Sequence, residues 1–260
     1  MSDVTGAGAK ADTQRVISVR KCSTLNEFRE CVSLQREIWA ETDLEIEPTT
    51  MFVVAAHTGG QVLGAFDGDK LIAYTLAVVA LHRATPYLHS HHTGVHPDYR
   101  DRGVGRMLKL FQREEALSRE IRLIQWTFDP LELRNAHFNF NRLGAIARTY
   151  HRDLYGVTTS PLHRGLATDR LVAEWHLDSA WVIAAIGDIA TEVGSSSAFA
   201  SIEVPGELER WKVEDLQQVQ RVQQHLREEF TRWFSRGYAA IRTRKTSSGT
   251  AYVLAPWSDF

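Results

Sequence analysis

The chain has 260 residues, 43% of them hydrophobic and 24% charged, with a formal net charge of −2 at pH 7. That length supports one full core plus an appended unit. The near-neutral charge excludes a general attraction to nucleic acid or to a membrane surface. Only two cysteines occur, Cys22 and Cys31. They are expected as reduced thiols in a cytoplasmic protein.

Residues 1–14 are polar, lack the apolar region of a signal peptide, and are expected as a disordered N-terminus. Residues 16–20 alternate weakly and predict a first strand. Thr24 and Glu27 have capping-box spacing and open a helix through Trp39. Residues 48–57 predict a shorter helix that ends near Gly59 and Gly60. Residues 61–66 and 70–81 predict two strands joined by a turn at Asp67, Gly68 and Asp69. Their longest apolar run is too short to cross a membrane as a helix. Residues 87–95 predict another strand, followed by a turn at His96, Pro97 and Asp98.

Further on, residues 121–128 predict a strand stopped by Asp129 and Pro130. Residues 135–143 predict a helix capped by Gly144. Residues 145–150 and 170–177 predict closing strands. The intervening residues 151–169 form a loop long enough to be a flap over a site. Residues 179–196 predict a connector. A strand at 201–204, a helix at 211–234 and a hairpin of 237–243 with 251–254 complete the chain. These elements divide into a main domain at 15–178, a connector at 179–198 and an α+β extension at 199–260. The extension is expected to pack on the main domain or to build a homodimer face.

The stretch that carries chemistry runs from Tyr87 to Leu117. Val104, Met107, Leu108 and Phe111 fall at i, i+3, i+4 and i+7, which makes one apolar helical face. Gly103 and Gly105 sit where the loop becomes this helix. There the first backbone N–H groups lack intrahelical partners and the helix dipole is positive. Glycine lets a ligand approach the backbone closely. The pattern points to an anion site for a phosphate or pyrophosphate.

Arg100-x-x-Gly103-x-Gly105, after a strand ending in Val95 and with Pro97 between, resembles motif A of the GNAT superfamily of acyl-CoA N-acyltransferases. The element order to residue 178 matches the fold of that family, an α/β architecture on a mixed sheet. The resemblance implies acetyl-CoA or another acyl-CoA as co-substrate, with no metal. Its pyrophosphate would lie on Arg100, Asp101, Arg102, Gly103, Val104, Gly105 and Arg106. Its pantetheine arm would run between two splayed parallel strands, Thr93-Gly94-Val95 and Trp126-Thr127-Phe128. Asn135 would contact the coenzyme or cap its helix.

The implied reaction needs an oxyanion donor, a base and an acid. The donor is a backbone N–H near Gly94 or Val95, and Gly94 within a strand predicts a bulge or close backbone approach there. The candidate bases are His91 and Asp129, with His89, His92 and His96 nearby. Strand alternation places His89, His91, Thr93 and Val95 on one face and Ser90 and His92 on the other. Neighbouring histidines on opposite faces do not make a metal site. Many family members use a tyrosine four residues before the glycine that ends the helix after the fifth strand. Here that position is Phe140, with Asn139, Tyr150, His151 and Tyr155 not far along the chain. The implied function is transfer of an acetyl or succinyl group from CoA to a small-molecule amine such as an amino acid. The alternative is a non-catalytic acyl-CoA-binding module of the same fold, the reading that Phe140 favours.

Overall fold

A computed structural model describes residues 16–39, 45–156, 165–187, 189 and 199–257. The strands are β1 (Ile17–Lys21), β2 (Gln61–Asp67), β3 (Lys70–His82), β4 (Thr85–Val95), β5 (Leu123–Phe128), β6 (Ile146–His151), β7 (Arg170–His176), β8 (Ala200–Pro205), β9 (Tyr238–Lys245) and β10 (Gly249–Pro256). The helices are α1 (Leu25–Trp39), α2 (Thr49–His57), α3 (Val104–Leu117), α4 (Leu133–His137), α5 (Ala180–Ile186), α6 (Leu208–Glu214) and α7 (Leu216–Phe234). Among the described residues all ten strands join one sheet in the order β1-β2-β3-β4-β5-β7-β6-β9-β10-β8. Among the described residues β4–β5 is the only parallel pair, and it is short: Leu88 faces Ile124 and His89 faces Gln125. Beyond those registers the two strands continue without pairing to each other. The fold is the mixed α/β architecture expected from the element order.

Local chemistry sets the helix boundaries. Thr24 Oγ1 accepts from Glu27 N–H at 3.2 Å, and the Glu27 carboxylate accepts from Ser23 and Thr24 N–H at 2.7 and 2.9 Å. This is the expected capping box. The helix expected at 211–234 is instead two helices. Asp215 leaves helical geometry and its side chain accepts from Gln217 and Gln218 N–H, so it starts α7 afresh. The connector expected at 179–196 contains α5, which opens on a Ser179 cap to Val182 N–H. The helix expected at 135–143 begins at Leu133 and changes pitch, becoming a π-helix over Phe138–Arg142. The strand expected from residue 121 starts at Leu123. The expected N-terminal disorder and the middle of the expected flap, 157–164, lie outside the described residues.

Helix α3 packs under the first half of the sheet on a face turned from the one its apolar spacing predicts: Val104, Leu108 and the half-buried Phe111 join the core as expected. Met107 is exposed, while Lys109, Gln112 and Glu115 are buried beside Val104, Leu108 and Ala116. The polar residues meet polar partners. Gln61 donates to the Gln112 carbonyl and to the Glu115 carboxylate, and Glu115 pairs with Lys21 and Arg119. Lys109 is 3% exposed. Its Nζ donates to Gln112 Oε1 at 2.6 Å, lies 3.4 Å from Ser90 Oγ and sits 4.0 Å from the Trp126 ring centroid. Burial pushes this ammonium down to about 7.

The C-terminal elements are tied to the earlier ones mainly through side chains. Between β6 and β9 the register holds at Ala147 opposite Ala240. Asn141 on the π-helix acts as a strand neighbour for β9. It donates to the Thr243 carbonyl and accepts from Thr243 N–H, both at 2.9 Å. Tyr252 donates to the Pro130 carbonyl at 2.6 Å, and Lys212 donates to the Leu131 carbonyl and to Glu132. Arg227 on α7 grips the fully buried Asp169 through Nε at 2.9 Å and a terminal nitrogen at 3.1 Å. Tyr150 O–H and Asp153 N–H complete the shell around that carboxylate.

Two of these features generate predictions. Arg227→Met should leave the Asp169 carboxylate buried without its cation and destabilise the fold by roughly 3 kcal/mol. Equilibrium urea unfolding of the two proteins measures the difference. Lys109→Met should stabilise the protein at neutral pH. The folded-state pKa of Lys109 is depressed, so between about 7 and the ordinary lysine value of 10.5 the unfolded chain holds a proton that the folded chain releases. Its burden is therefore greatest below pH 7 and fades as pH rises. Unfolding midpoints at pH 7 and near pH 10 should converge in the variant relative to the parent.

Candidate active site

The site is organised by the fork between β4 and β5. Helix α3 enters it with a glycine N-cap, Gly103, in the left-handed region at φ 79°. No side chain caps the helix and no acidic residue lies in its first turn. A Cβ on Gly103 would meet nothing within 4 Å, and one on Gly105 would meet only Val95 Cγ2 at an ordinary 3.6 Å. Packing therefore demands neither glycine. Gly103 answers to backbone conformation, and Gly105 leaves the space before the first N–H groups open.

The basic residues of this turn have varied partners. Arg100 donates to the Val95 carbonyl at 3.3 Å and to the Ile38 carbonyl at 3.4 Å, tying the turn to β4 and to the end of α1. Arg102 lies over the Tyr99 ring at 5.3 Å. Asp101, with φ 61°, pairs with Arg134 at 2.6 Å on the exposed surface. Arg106 donates to the Ile186 carbonyl at the end of α5. Val104 is buried. Asn135 is exposed in the first turn of α4.

The faces of β4 differ from simple alternation. Leu76 faces His92 and Ala77 faces Ser90, so His91 is an extra residue in the strand. This bulge turns His91 and His92 to the same face. Their rings stack at 4.3 Å and 13°, and the His89 ring lies 6.3 Å from that of His91. The bulge expected at Gly94 thus sits three residues earlier. Gly94 serves a close approach instead, because a Cβ there would fall 2.7 Å from Ile38 Cδ1 and 3.0 Å from the Trp39 ring. The opposite face carries Ser90, Thr93 and Val95 toward α3. Thr93 Oγ1 is 2.7 Å from Thr75 Oγ1, and Val95 joins the core cluster of Val104 and Leu108.

Backbone direction follows from the same register. His96 N–H donates to the Ile72 carbonyl at 2.8 Å across to β3. Alternation then turns Gly94 N–H toward β3 as well, and turns the N–H groups of Thr93 and Val95 toward the fork.

On the face of the histidines, His91 Nε2 lies 2.8 Å from Glu47 Oε1, in the connection between α1 and α2. The side chains of His91 and Glu47 are 32% and 27% exposed. The His91 hydrogen bond holds the Glu47 carboxyl below its ordinary pKa. His92 packs on Trp39 at 5.2 Å, and burial pulls it down to about 4. Burial, with His91 beside it, also lowers His89.

The β5 arm carries Thr127, whose Oγ1 lies 2.7 Å from the Tyr155 hydroxyl. Asp129 follows the strand end. Its Oδ1 accepts from Leu131 N–H at 2.8 Å, and Arg170 stands 3.9 Å from its other oxygen. Burial raises this carboxyl to about 6. Phe140 is 1% exposed and packs edge-on against Phe128 and Tyr252, so its ring belongs to the core. Lys109 closes the fork from below, touching Ser90 and Trp126, the first residue of each arm past the last paired register.

Glu47 and Lys109 were not among the residues singled out in the sequence, and Thr127 and Tyr155 were named there without their contact to each other. Glu47 is one of several acids before Pro48 and has no periodic signal. Lys109 falls one position from an apolar stripe that the fold rotates.

The model of the acetyltransferase (GNAT) family matches residues 25–145. No curated protein matches the chain. Among solved structures, a putative acetyltransferase of the GNAT family from Desulfovibrio desulfuricans is similar at 13% identity and a TM-score of 0.51. That likeness covers 62% of this chain and 99% of that one. Arabidopsis thaliana NAA60, solved in complex with acetyl-CoA, is similar at 12% identity with the same coverages and TM-score. At these identities the likeness is one of fold. The family match over residues 25–145, the fork and the glycine-opened α3 agree, and in fold this part of the chain is similar to acetyltransferases of the GNAT family.

Proposed function

We propose that the protein transfers an acetyl group from acetyl-CoA to the amine of a small molecule. The observation that carries this reading is the fork. Strands β4 and β5 pair at two registers and then part, leaving inward-facing backbone groups beside an uncapped helix start. An amide-rich pantetheine arm suits the first feature and a pyrophosphate the second. A succinyl group is the alternative acyl cargo.

The incoming amine is mostly an ammonium and must lose a proton. We assign that step to His91. If its Nε2–H donates to Glu47, the imidazole is fixed with Nδ1 free to accept. Asp129, engaged with Leu131 N–H and Arg170, is the less accessible of the two candidate bases. The free amine attacks the thioester carbonyl carbon, and the carbonyl electrons move to oxygen. Val95 or Thr93 N–H, facing the fork, supplies the donor to that oxyanion in place of Gly94. The attacking nitrogen sheds its second proton to solvent, and collapse re-forms the carbonyl, breaks the C–S bond and expels CoA thiolate. With Phe140 in the core, Tyr155 at Thr127 is the phenol placed to return a proton to sulfur.

The direct test is release of free CoA thiol from acetyl-CoA across a panel of small amines, with acylated product identified by mass. Tight CoA binding with no turnover for any amine would favour the non-catalytic module. Gly105→Ala should hold or raise thermal stability, because the Cβ has room and alanine favours a helix by up to about 1 kcal/mol. The same change should weaken acetyl-CoA binding at least about tenfold by crowding the N–H groups, which calorimetric titration would show. Glu47→Gln should lower kcat by roughly a hundredfold with little change in the KM for acetyl-CoA. An unchanged kcat would remove Glu47 from the mechanism.

A further inference from the structure

The bulge in β4 creates a constellation that regular alternation forbids. His91 and His92, adjacent in sequence, lie on one face, and Glu47 reaches them from the α1–α2 connection. One ligand-capable atom from each of the three residues lies within 4.8 Å of the other two. We propose that Glu47, His91 and His92 bind a divalent transition-metal ion of the zinc class.

The donor set is two imidazole nitrogens and one carboxylate oxygen, which suits zinc. Bonds of about 2.0–2.1 Å to a tetrahedral ion require donor atoms some 3.4 Å apart. The His91–Glu47 pair is already inside that spacing at 2.8 Å. His92 must close a gap of about an ångström or so. As the rings lie, they are nearly parallel, and in-plane lone pairs on parallel rings do not meet at one point. Binding therefore turns the His91 ring, the more open of the two, while Trp39 and Tyr74 hold His92. Three protein donors leave a fourth position for water. The partial exposure of Glu47 and His91 gives the ion a route in.

Occupancy has a consequence that rests on the acetyltransferase reading. An ion on His91 Nε2 and Glu47 leaves the imidazole's proton on Nδ1, the atom that would otherwise accept the amine's proton. The ion is thus an inhibitor that competes with the proton for the base.

The test separates binding from activity. Chelator-treated protein is titrated with cobalt(II), and then with zinc. The expected result is saturable binding at one ion per chain, with the visible absorption of a tetrahedral cobalt complex that zinc abolishes. His92→Asn and Glu47→Gln should each weaken binding at least about tenfold while circular dichroism stays native. His225→Asn, at an exposed histidine on α7, should leave it unchanged. Absence of the tetrahedral signal in the parent, or its persistence in both site variants, overturns the proposal. Equimolar zinc should also suppress CoA release by the parent protein. Full turnover with the ion bound would overturn the inhibitory role. Tight cobalt binding with no acetyl transfer to any amine would leave the metal site standing and the acetyltransferase reading fallen.

Discussion

Everything about the candidate site depends on hydrogen bonds that β4 and β5 do not make. A sheet interior normally satisfies each backbone N–H and carbonyl, and leaving such groups buried and unpaired costs free energy. Here the pairing lapses after His89 opposite Gln125, in the middle of a ten-stranded sheet. The vacated edges suit a ligand that is itself a chain of amides. The same parting of strands admits Lys109 and Trp126 beneath the apex, and lets α3 present its first N–H groups at the open end.

The bulge at His91 is the second determinant. One additional residue reverses the facing of everything after it, which is why Thr93 and Val95 share a face with Ser90 rather than with His91. It also separates two kinds of group along a single strand. One face carries the histidines beside Glu47, and one edge turns N–H groups into the fork.

Much of the fold was legible in the chain. The capping box at Thr24 and Glu27, the turn at Gly68 and the glycines before α3 are local signals with local causes, and they fell where expected. What failed was non-local. The bulge depends on the register against β3, which no stretch of β4 contains alone. The face of α3 is rotated because Gln61, Lys21 and Ser90, on three different strands, receive its polar residues. The break at Asp215 was available in principle, since an aspartate that can cap a helix was present. It was masked by a long apolar periodicity running across it. Glu47 became visible only once the fold brought it to His91, 44 positions away.

The ties from the C-terminal elements to the loop after β5 have an evolutionary corollary. Tyr252 holds the Pro130 carbonyl across 122 positions of sequence, and Lys212 holds the Leu131 carbonyl across 81. Both bonds end on backbone, so they constrain the path of that loop whatever its side chains do. The side chains of the loop are held separately, Leu131 by the core, Glu132 by Lys212 and Asp129 by the Leu131 N–H. Changes of length there are another matter. An insertion or deletion in the loop would have to be matched by a compensating shift in a segment encoded far downstream, so the two should change in length together.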